Sequence, residues 1–347
     1  MLFGLQNILI FFLLIGAFDL YALLPYTKAG SDVSYAGQIQ SVKKHVNDLK
    51  VEHISFESKE SETSNKMLTR KGFLMLRPGA LGTVVFCHGY THSKHESFFF
   101  KTFFPNFNAL AFDFRAHGEL ADGQISTVGA DEIYDVLGAV NFIKNHPALK
   151  DKPIIGFGFS MGAVSLLRAQ SRWPDLFDML ILDSPFDSGY DCMSQGLDNL
   201  MTIKILGRYY KIPGKSLIMK SLYNERLSPF VKYIFKLVTG FNPNQTPTKF
   251  VHVAPIDSAS NIKVPCLFFA CVKDNKVPVD AVRRLYHAVD SPFKRMWITQ
   301  GIKHCSAYLT NPEIYWYKMN KFIKKVLNND MKVKEKIVDE RITISVA

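Results

Sequence analysis

From Thr83 onward this chain alternates short apolar runs with stretches of helical periodicity, and that order leaves few folds open. The apolar runs are 83–87, 109–113, 153–159, 179–183, 266–272 and 295–299. Helical patterns fill about 93–104, 128–146, 161–172, 280–289 and 306–327. Strands that each feed a helix pair in parallel, because a parallel neighbour needs a long crossover. Both faces of such a sheet are covered, so its strands read as continuous apolar runs. Ahead of them, 51–58 and 68–77 read as two further strands, the natural opening of an antiparallel edge. Ligands of such sheets bind beyond the carboxyl ends of the strands.

One strand-to-helix junction carries chemistry. Gly158-Phe159-Ser160-Met161-Gly162 follows the apolar run Pro153-Ile154-Ile155-Gly156-Phe157 and precedes Ala163-Val164-Ser165-Leu166-Leu167-Arg168. A serine raised on a sharp turn between strand and helix needs small residues two before and two after it. Such a turn exposes the serine Oγ, and the helix N-terminus behind it favours negative charge. Ser160 is therefore a candidate nucleophile. The plainer reading of the same residues is a pair of glycines for close helix packing.

A serine hydroxyl needs a base, and the base an orienting acid. In a strand–turn–helix setting the chain order is serine, acid, histidine. His252, His287 and His304 follow Ser160. His304 sits in a loop after the last strand, where it can reach the junction; His287 falls within a helical pattern and His252 in an irregular stretch. For the acid, Asp274 follows the run 266–272 in Lys273-Asp274-Asn275-Lys276-Val277-Pro278, and Asp183 ends the preceding run. Topology favours Asp274, with Asp183 as its rival. Asp280 reads as a helix-start residue.

A tetrahedral intermediate needs donors for its oxyanion. The Met161 N–H, just after the serine, is one, and the loop His88-Gly89-Tyr90 offers the Tyr90 N–H as the other. His88 reads as a brace for that loop. His88, His92 and His95 have neither cysteine partners nor a set of carboxylates, which argues against zinc. Asp113-Phe114-Arg115-Ala116-His117-Gly118 reads as charge that locks neighbouring loops.

Between Pro185 and Asn261 the alternation stops. The stretch 187–260, rich in Leu, Ile, Phe, Tyr and Met, shows no clear strand and reads as a helical lid, or as an insertion that only enlarges the core. Residues 1–24 form an apolar segment with only Asp19 charged, of a length that can span a membrane. A cleaved signal or an amphipathic cap are the other readings. If it is an anchor, Lys28, Lys43 and Lys44 place the rest of the chain on the cytoplasmic side. Residues 25–50 read as a linker with a short polar helix, 51–327 as the folded domain, and 328–347 as a charged, irregular tail. The net charge of +11 is spread along the chain with no RNA-binding aromatic motif, which suits an anionic membrane surface better than nucleic acid. Five scattered cysteines without a Cys-x-x-Cys pair argue against a disulfide framework. Cys87, Cys266 and Cys271 read as core thiols, which favours a reducing compartment.

Taken in order, His88-Gly89-Tyr90, Asp113-Phe114-Arg115-Ala116-His117-Gly118, Gly158-Phe159-Ser160-Met161-Gly162, Asp274 and His304 resemble the α/β-hydrolase superfamily over about 50–327. Among its members the set is most similar to bacterial serine hydrolases near the dienelactone hydrolase and serine aminopeptidase-like families. The resemblance implies an α/β fold, a mostly parallel eight-stranded sheet with helices on both faces and a lid. It also implies a Ser160–Asp274–His304 triad with Tyr90 and Met161 as oxyanion donors. Glu119 departs from it, standing where relatives carry a small residue. The activity implied is hydrolysis of an ester or thioester, on an acyl or lipid-like substrate, without metal or organic cofactor. A serine peptidase, or a catalytically silent membrane-tethered binding protein on the same scaffold, are the alternatives.

Overall fold

The computed structural model describes residues 50–344, apart from 122, 206, 212, 225 and 231–245. Ten strands follow one another among these residues: β1 (Val51–Lys59), β2 (Met67–Met75), β3 (Thr83–Cys87), β4 (Asn108–Phe112), β5 (Ile154–Phe159), β6 (Met179–Asp183), β7 (Thr202–Ile205), β8 (Arg208–Lys211), β9 (Cys266–Cys271) and β10 (Lys294–Thr299). Eight of them form one sheet in the order β1-β2-β4-β3-β5-β6-β9-β10. β2 pairs antiparallel with both β1 and β4, and every other pairing in this sheet is parallel.

The central strands have no polar face because both sides are covered. In β3, Val85 and Cys87 pack on one side while Val84 and Phe86 pack on the other. The first side is closed by α2 (Glu132–Asn145), α3 (Met161–Arg172) and α6 (Val279–Ala288). The second is closed by α1 (Lys94–Phe98), the 3-10 turn Phe99–Phe103, α7 (Ala307–Thr310) and α8 (Pro312–Ile344). A nest of edge-to-face and tilted rings, Phe86, Phe100, Phe104, Phe157 and Phe159, fills that side beneath the middle of the sheet. Each ring buries enough apolar area to contribute on the order of 2 kcal/mol. Cys87, Cys266 and Cys271 are buried in strands, and all five thiols are free.

Chain order reverses between β3 and β5: β4 returns to one side of β3 and β5 pairs on the other. A crevice opens at such a reversal, and loops from both strands border it.

The structure departs from the sequence reading in three places. The stretch 187–260 is not wholly helical. Besides α4 (Gly189–Leu200) and α5 (Lys215–Leu222) it carries an antiparallel hairpin of β7 and β8. Gly207 makes the hairpin possible, with φ at 82° in the left-handed region that a side chain resists. The segment 93–104 breaks into α1 and the 3-10 turn. Residues 328–344 continue α8, where an irregular tail was expected. Beyond Pro312 that segment has neither Gly nor Pro and is rich in Lys and Glu, so nothing in it interrupts a helix. The apolar segment 1–24 and the linker 25–49 lie outside the described residues. Among the described residues no helix is long and apolar enough to cross a membrane.

Candidate active site

Ser160 stands between β5 and α3 with φ 48° and ψ −114°, a backbone conformation that costs a non-glycine residue about 1–3 kcal/mol. The surroundings hold it there. Its N–H donates to the Asp183 carbonyl at 2.9 Å, and the Val164 N–H donates to the Ser160 carbonyl at 3.0 Å. A Cβ on Gly158 would come within 2.7 Å of the Ala163 nitrogen, and one on Gly162 would land inside the Cys87 carbonyl. The two glycines are thus required by the close approach of α3 to β5 and β3.

The loop after β3 runs alongside. A Cβ on Gly89 would meet the Ser160 Cβ at 3.8 Å, so Gly89 borders the serine. Two buried histidines lock this loop from the core. His88 Nε2 accepts from the Phe114 N–H at 3.0 Å, so Nδ1 carries the proton and donates to the Gly89 carbonyl at 2.7 Å. His117 Nε2 accepts from the Thr91 N–H at 3.1 Å, and its Nδ1 donates to the Arg115 carbonyl at 2.7 Å. Burial lowers the basicity of both rings, well below the usual range for His88, which suits neutral tautomers that accept at Nε2. The brace expected of His88 is present, and His117 duplicates it. The Met161 N–H opens α3, where first-turn donors have no partner within their own helix.

Two strands along the sheet from β5, beyond the end of β9, Asp274 is joined to His304. His304 Nδ1 lies 2.7 Å from Asp274 Oδ2, and Asp274 Oδ1 accepts from the Lys276 and Val277 N–H groups at 2.9 Å each. An ionised carboxylate only accepts, so the imidazole proton sits on Nδ1 and leaves the Nε2 lone pair free. The Asp274 side chain is 1 % exposed and that of His304 13 %. Among the described contacts, Ser160 Oγ and His304 are not hydrogen-bonded; such contacts commonly tighten only when substrate arrives.

Asp183 is held elsewhere. Its Oδ2 accepts from the Tyr315 hydroxyl and its Oδ1 from that of Ser184, both at 2.9 Å. Burial pushes its carboxyl up to about 6 against those two hydrogen bonds and the nearby His304. His287 lies within α6 and His252 in the half-exposed segment before Pro255. Asp280 occupies the first turn of α6 and pairs with Arg283.

The Asp113–Gly118 segment is a charge lock. Buried Lys94 donates to Asp113 Oδ2 at 2.6 Å and to Glu119 Oε1 at 2.5 Å, so the unusual Glu119 completes the neutralisation of a buried ammonium. Arg115 reaches Asp135 at 2.9 Å, and Asp135 Oδ1 also accepts from Ser58.

Four residues at this edge escaped the sequence reading: Ser126, Glu132, Thr248 and Tyr315. Glu132 is wholly buried and accepts from the Ser126 hydroxyl, the Thr127 N–H and hydroxyl, and the Gly129 N–H, at 2.7–2.9 Å. Its place three residues after Gly129 at a helix start was the only available signal.

Residues 84–308 match the family described as the alpha/beta hydrolase family. The chain belongs to that family. Over 257 residues the hydrolase is also 26 % identical to an uncharacterized protein, YqkD, of Bacillus subtilis (strain 168), an alignment covering 73 % of this chain and 74 % of that one. Its fold is similar to that of the Pyrococcus furiosus esterase Pf2001, with TM-score 0.57 and 21 % identity, over 87 % of this chain and 99 % of the esterase. It is also similar to the Pyrococcus horikoshii acylaminoacyl peptidase, with TM-score 0.54 and 14 % identity, over 82 % of this chain and 42 % of the peptidase. The two likenesses extend to the fold of the hydrolase, and its chemistry has to be read from its own residues.

Proposed function

We propose that this hydrolase cleaves a carboxylic ester or thioester through an acyl-enzyme on Ser160. The observation that carries the reading is the Asp274–His304 hydrogen bond, which fixes a free Nε2 at the sheet edge where the strained Ser160 turn stands. Ser160 Oγ attacks the acyl carbonyl while His304 Nε2 takes its proton. The Met161 and Tyr90 N–H groups receive the developing oxyanion. Collapse expels the alcohol or thiol, which takes the proton from His304. Water then attacks the acyl-enzyme, giving a proton to His304, and the acid leaves as Ser160 recovers it. Asp274 holds the tautomer and balances the imidazolium. The route needs no metal and no organic cofactor.

An acyl or lipid-like substrate is supported by the insertion, where Tyr190, Tyr209, Leu217 and Phe230 lie exposed beside Arg208 and Lys220. The apolar run 1–24 and the excess of basic residues support a membrane tether with the catalytic domain in the cytoplasm. Protease protection of inside-out vesicles tests that placement; release of the protein by a high-salt wash would sink it.

Covalent labelling with a fluorophosphonate, wild type beside Ser160→Ala, read by intact mass, tests the nucleophile. One adduct lost in the variant is expected; an adduct retained in Ser160→Ala would overturn the assignment. A panel of acyl chain lengths tests the substrate class, and a flat response removes the lipid-like reading. Turnover of aminoacyl arylamides with no ester turnover would move the hydrolase to the peptidases.

A further inference from the structure

Among the described residues, a half-buried hydrogen bond joins the insertion to the oxyanion loop. The Thr248 hydroxyl donates to the Thr246 carbonyl at 2.7 Å, so the Tyr90 hydroxyl, 2.7 Å away, is the donor in the Tyr90–Thr248 hydrogen bond. Thr248 is itself fixed from below. It bridges Ser126 in parallel register, the Ser126 N–H donating to the Pro247 carbonyl and the Lys249 N–H to that of Ser126, at 2.8 and 2.9 Å. Ser126 is anchored by Glu132, and its Oγ also lies 3.9 Å from Met161 Sδ. The side chains of both residues proposed as oxyanion donors, Tyr90 and Met161, thus rest on one Ser126–Thr248 bridge.

We infer that Thr248 is a positioning residue for the oxyanion hole, acting through the Tyr90 ring on the Tyr90 N–H. This rests on the acyl-enzyme reading above. His88 and His117 fix the backbone of the loop on either side of Tyr90, at residues 89 and 91. The Tyr90 N–H shares a peptide plane with the Gly89 carbonyl, which the His88 ring and the His92 N–H hold at 2.7 and 3.1 Å. The other end of that plane is the Tyr90 Cα, whose ring stands edge-on to His117 and is hydrogen-bonded at its tip to Thr248. A donor contributes to catalysis in proportion to how well it is aimed at the oxyanion, and the oxyanion exists only in the transition state. The 246–249 end of the insertion therefore bears on the aim of one donor, so a substrate that moves the insertion changes the rate of the chemical step.

The test is steady-state kinetics on one aryl ester for wild type, Thr248→Val, Thr248→Ser, Tyr90→Phe and the double variant Thr248→Val/Tyr90→Phe. Removing an oxyanion donor outright costs about 10²–10³ in kcat, and misaiming one should cost about tenfold. Thr248→Val and Tyr90→Phe should each lower kcat about tenfold with KM unchanged, and the double variant should match either single one. Thr248→Ser, which restores the hydroxyl, should return to within about twofold of wild type. A rise in KM alone, additive losses in the double variant, or failure of Thr248→Ser to rescue would overturn the role. Should Thr248→Val fail to fold, Tyr90→Phe alone decides, since unchanged kcat there removes the relay. Ester turnover that survives Ser160→Ala overturns the parent reading instead, whatever the Thr248 variants do.

Discussion

Asp183 closes β6 and Asp274 follows β9, the neighbouring strand, so two carboxylates emerge side by side from one edge of the sheet. Both are buried, and topology alone qualifies either as the acid of a triad. Their partners separate them. Asp274 meets two backbone N–H groups and the His304 ring, three N–H donors in all. Asp183 meets two hydroxyls, Ser184 and Tyr315, and sits deep enough that its carboxyl titrates near 6. The β9 acid is placed to orient His304 and the β6 acid to hold a helix: Tyr315 belongs to the first turns of α8, and the Asp183 carbonyl receives the Ser160 N–H. Position on a sheet edge offers a role, and the donors within reach decide it.

The largest expected effect breaks the comparison if it falls on the wrong residue. Asp274→Asn keeps the shape but destabilises the Nδ1–H tautomer, and kcat should fall about 10³–10⁴-fold with little change in KM. Asp183→Asn should keep kcat within about tenfold, since an amide oxygen still accepts from Tyr315. Steady-state kinetics of the two variants on one ester check this, and the reverse ranking would exchange the two roles.

The second effect is on stability and has a fixed sign. Asp183 releases its proton near 3.8 when unfolded and near 6 when folded. Between those values the folded chain holds a proton that the unfolded chain has lost, so this residue makes stability fall as pH rises. The difference of about two units corresponds to roughly 3 kcal/mol, absent below about pH 4 and complete above about pH 6. Asp183→Asn cannot ionise. Urea unfolding at pH 4 and pH 7 should show the variant gaining on wild type by about that amount at the higher pH. Parallel pH dependences for the two proteins would mean that Asp183 stays charged in the fold.

Much of this edge was legible in the sequence, for reasons that differ residue by residue. Continuous apolar runs such as Thr83–Cys87 announce strands covered on both faces, and the glycines around Ser160 announce a turn with no room for Cβ atoms. The run after β9 placed Asp274 on a turn at the correct edge. What stayed hidden depends on long-range pairing. Thr248 meets Tyr90 and Ser126 only after the insertion folds back, and periodicity carries no record of which polar groups will face each other. Nothing in the helical pattern 306–327 singles out Tyr315, because its hydroxyl partner lies on another element. The β7–β8 hairpin was too short for its alternation to stand out, and only Gly207 marked its turn.

The smallest expected effect sharpens the contrast most. Tyr315→Phe removes one donor from the Asp183 carboxylate and leaves the ring stacked on Phe269 at 4.1 Å. A buried hydrogen bond of this kind contributes about 1–2 kcal/mol, so Tm should fall by several degrees while kcat stays near wild type. That hydrogen bond holds the Asp183 carboxyl down, so its loss should raise the carboxyl further and carry the pH-dependent loss of stability to higher pH. Calorimetry across pH 5–8 reads both the drop and the displacement. An activity loss on the scale of Asp274→Asn would instead join α8 to the catalytic machinery through Asp183, and the two carboxylates would then act as one acid shared between two strands.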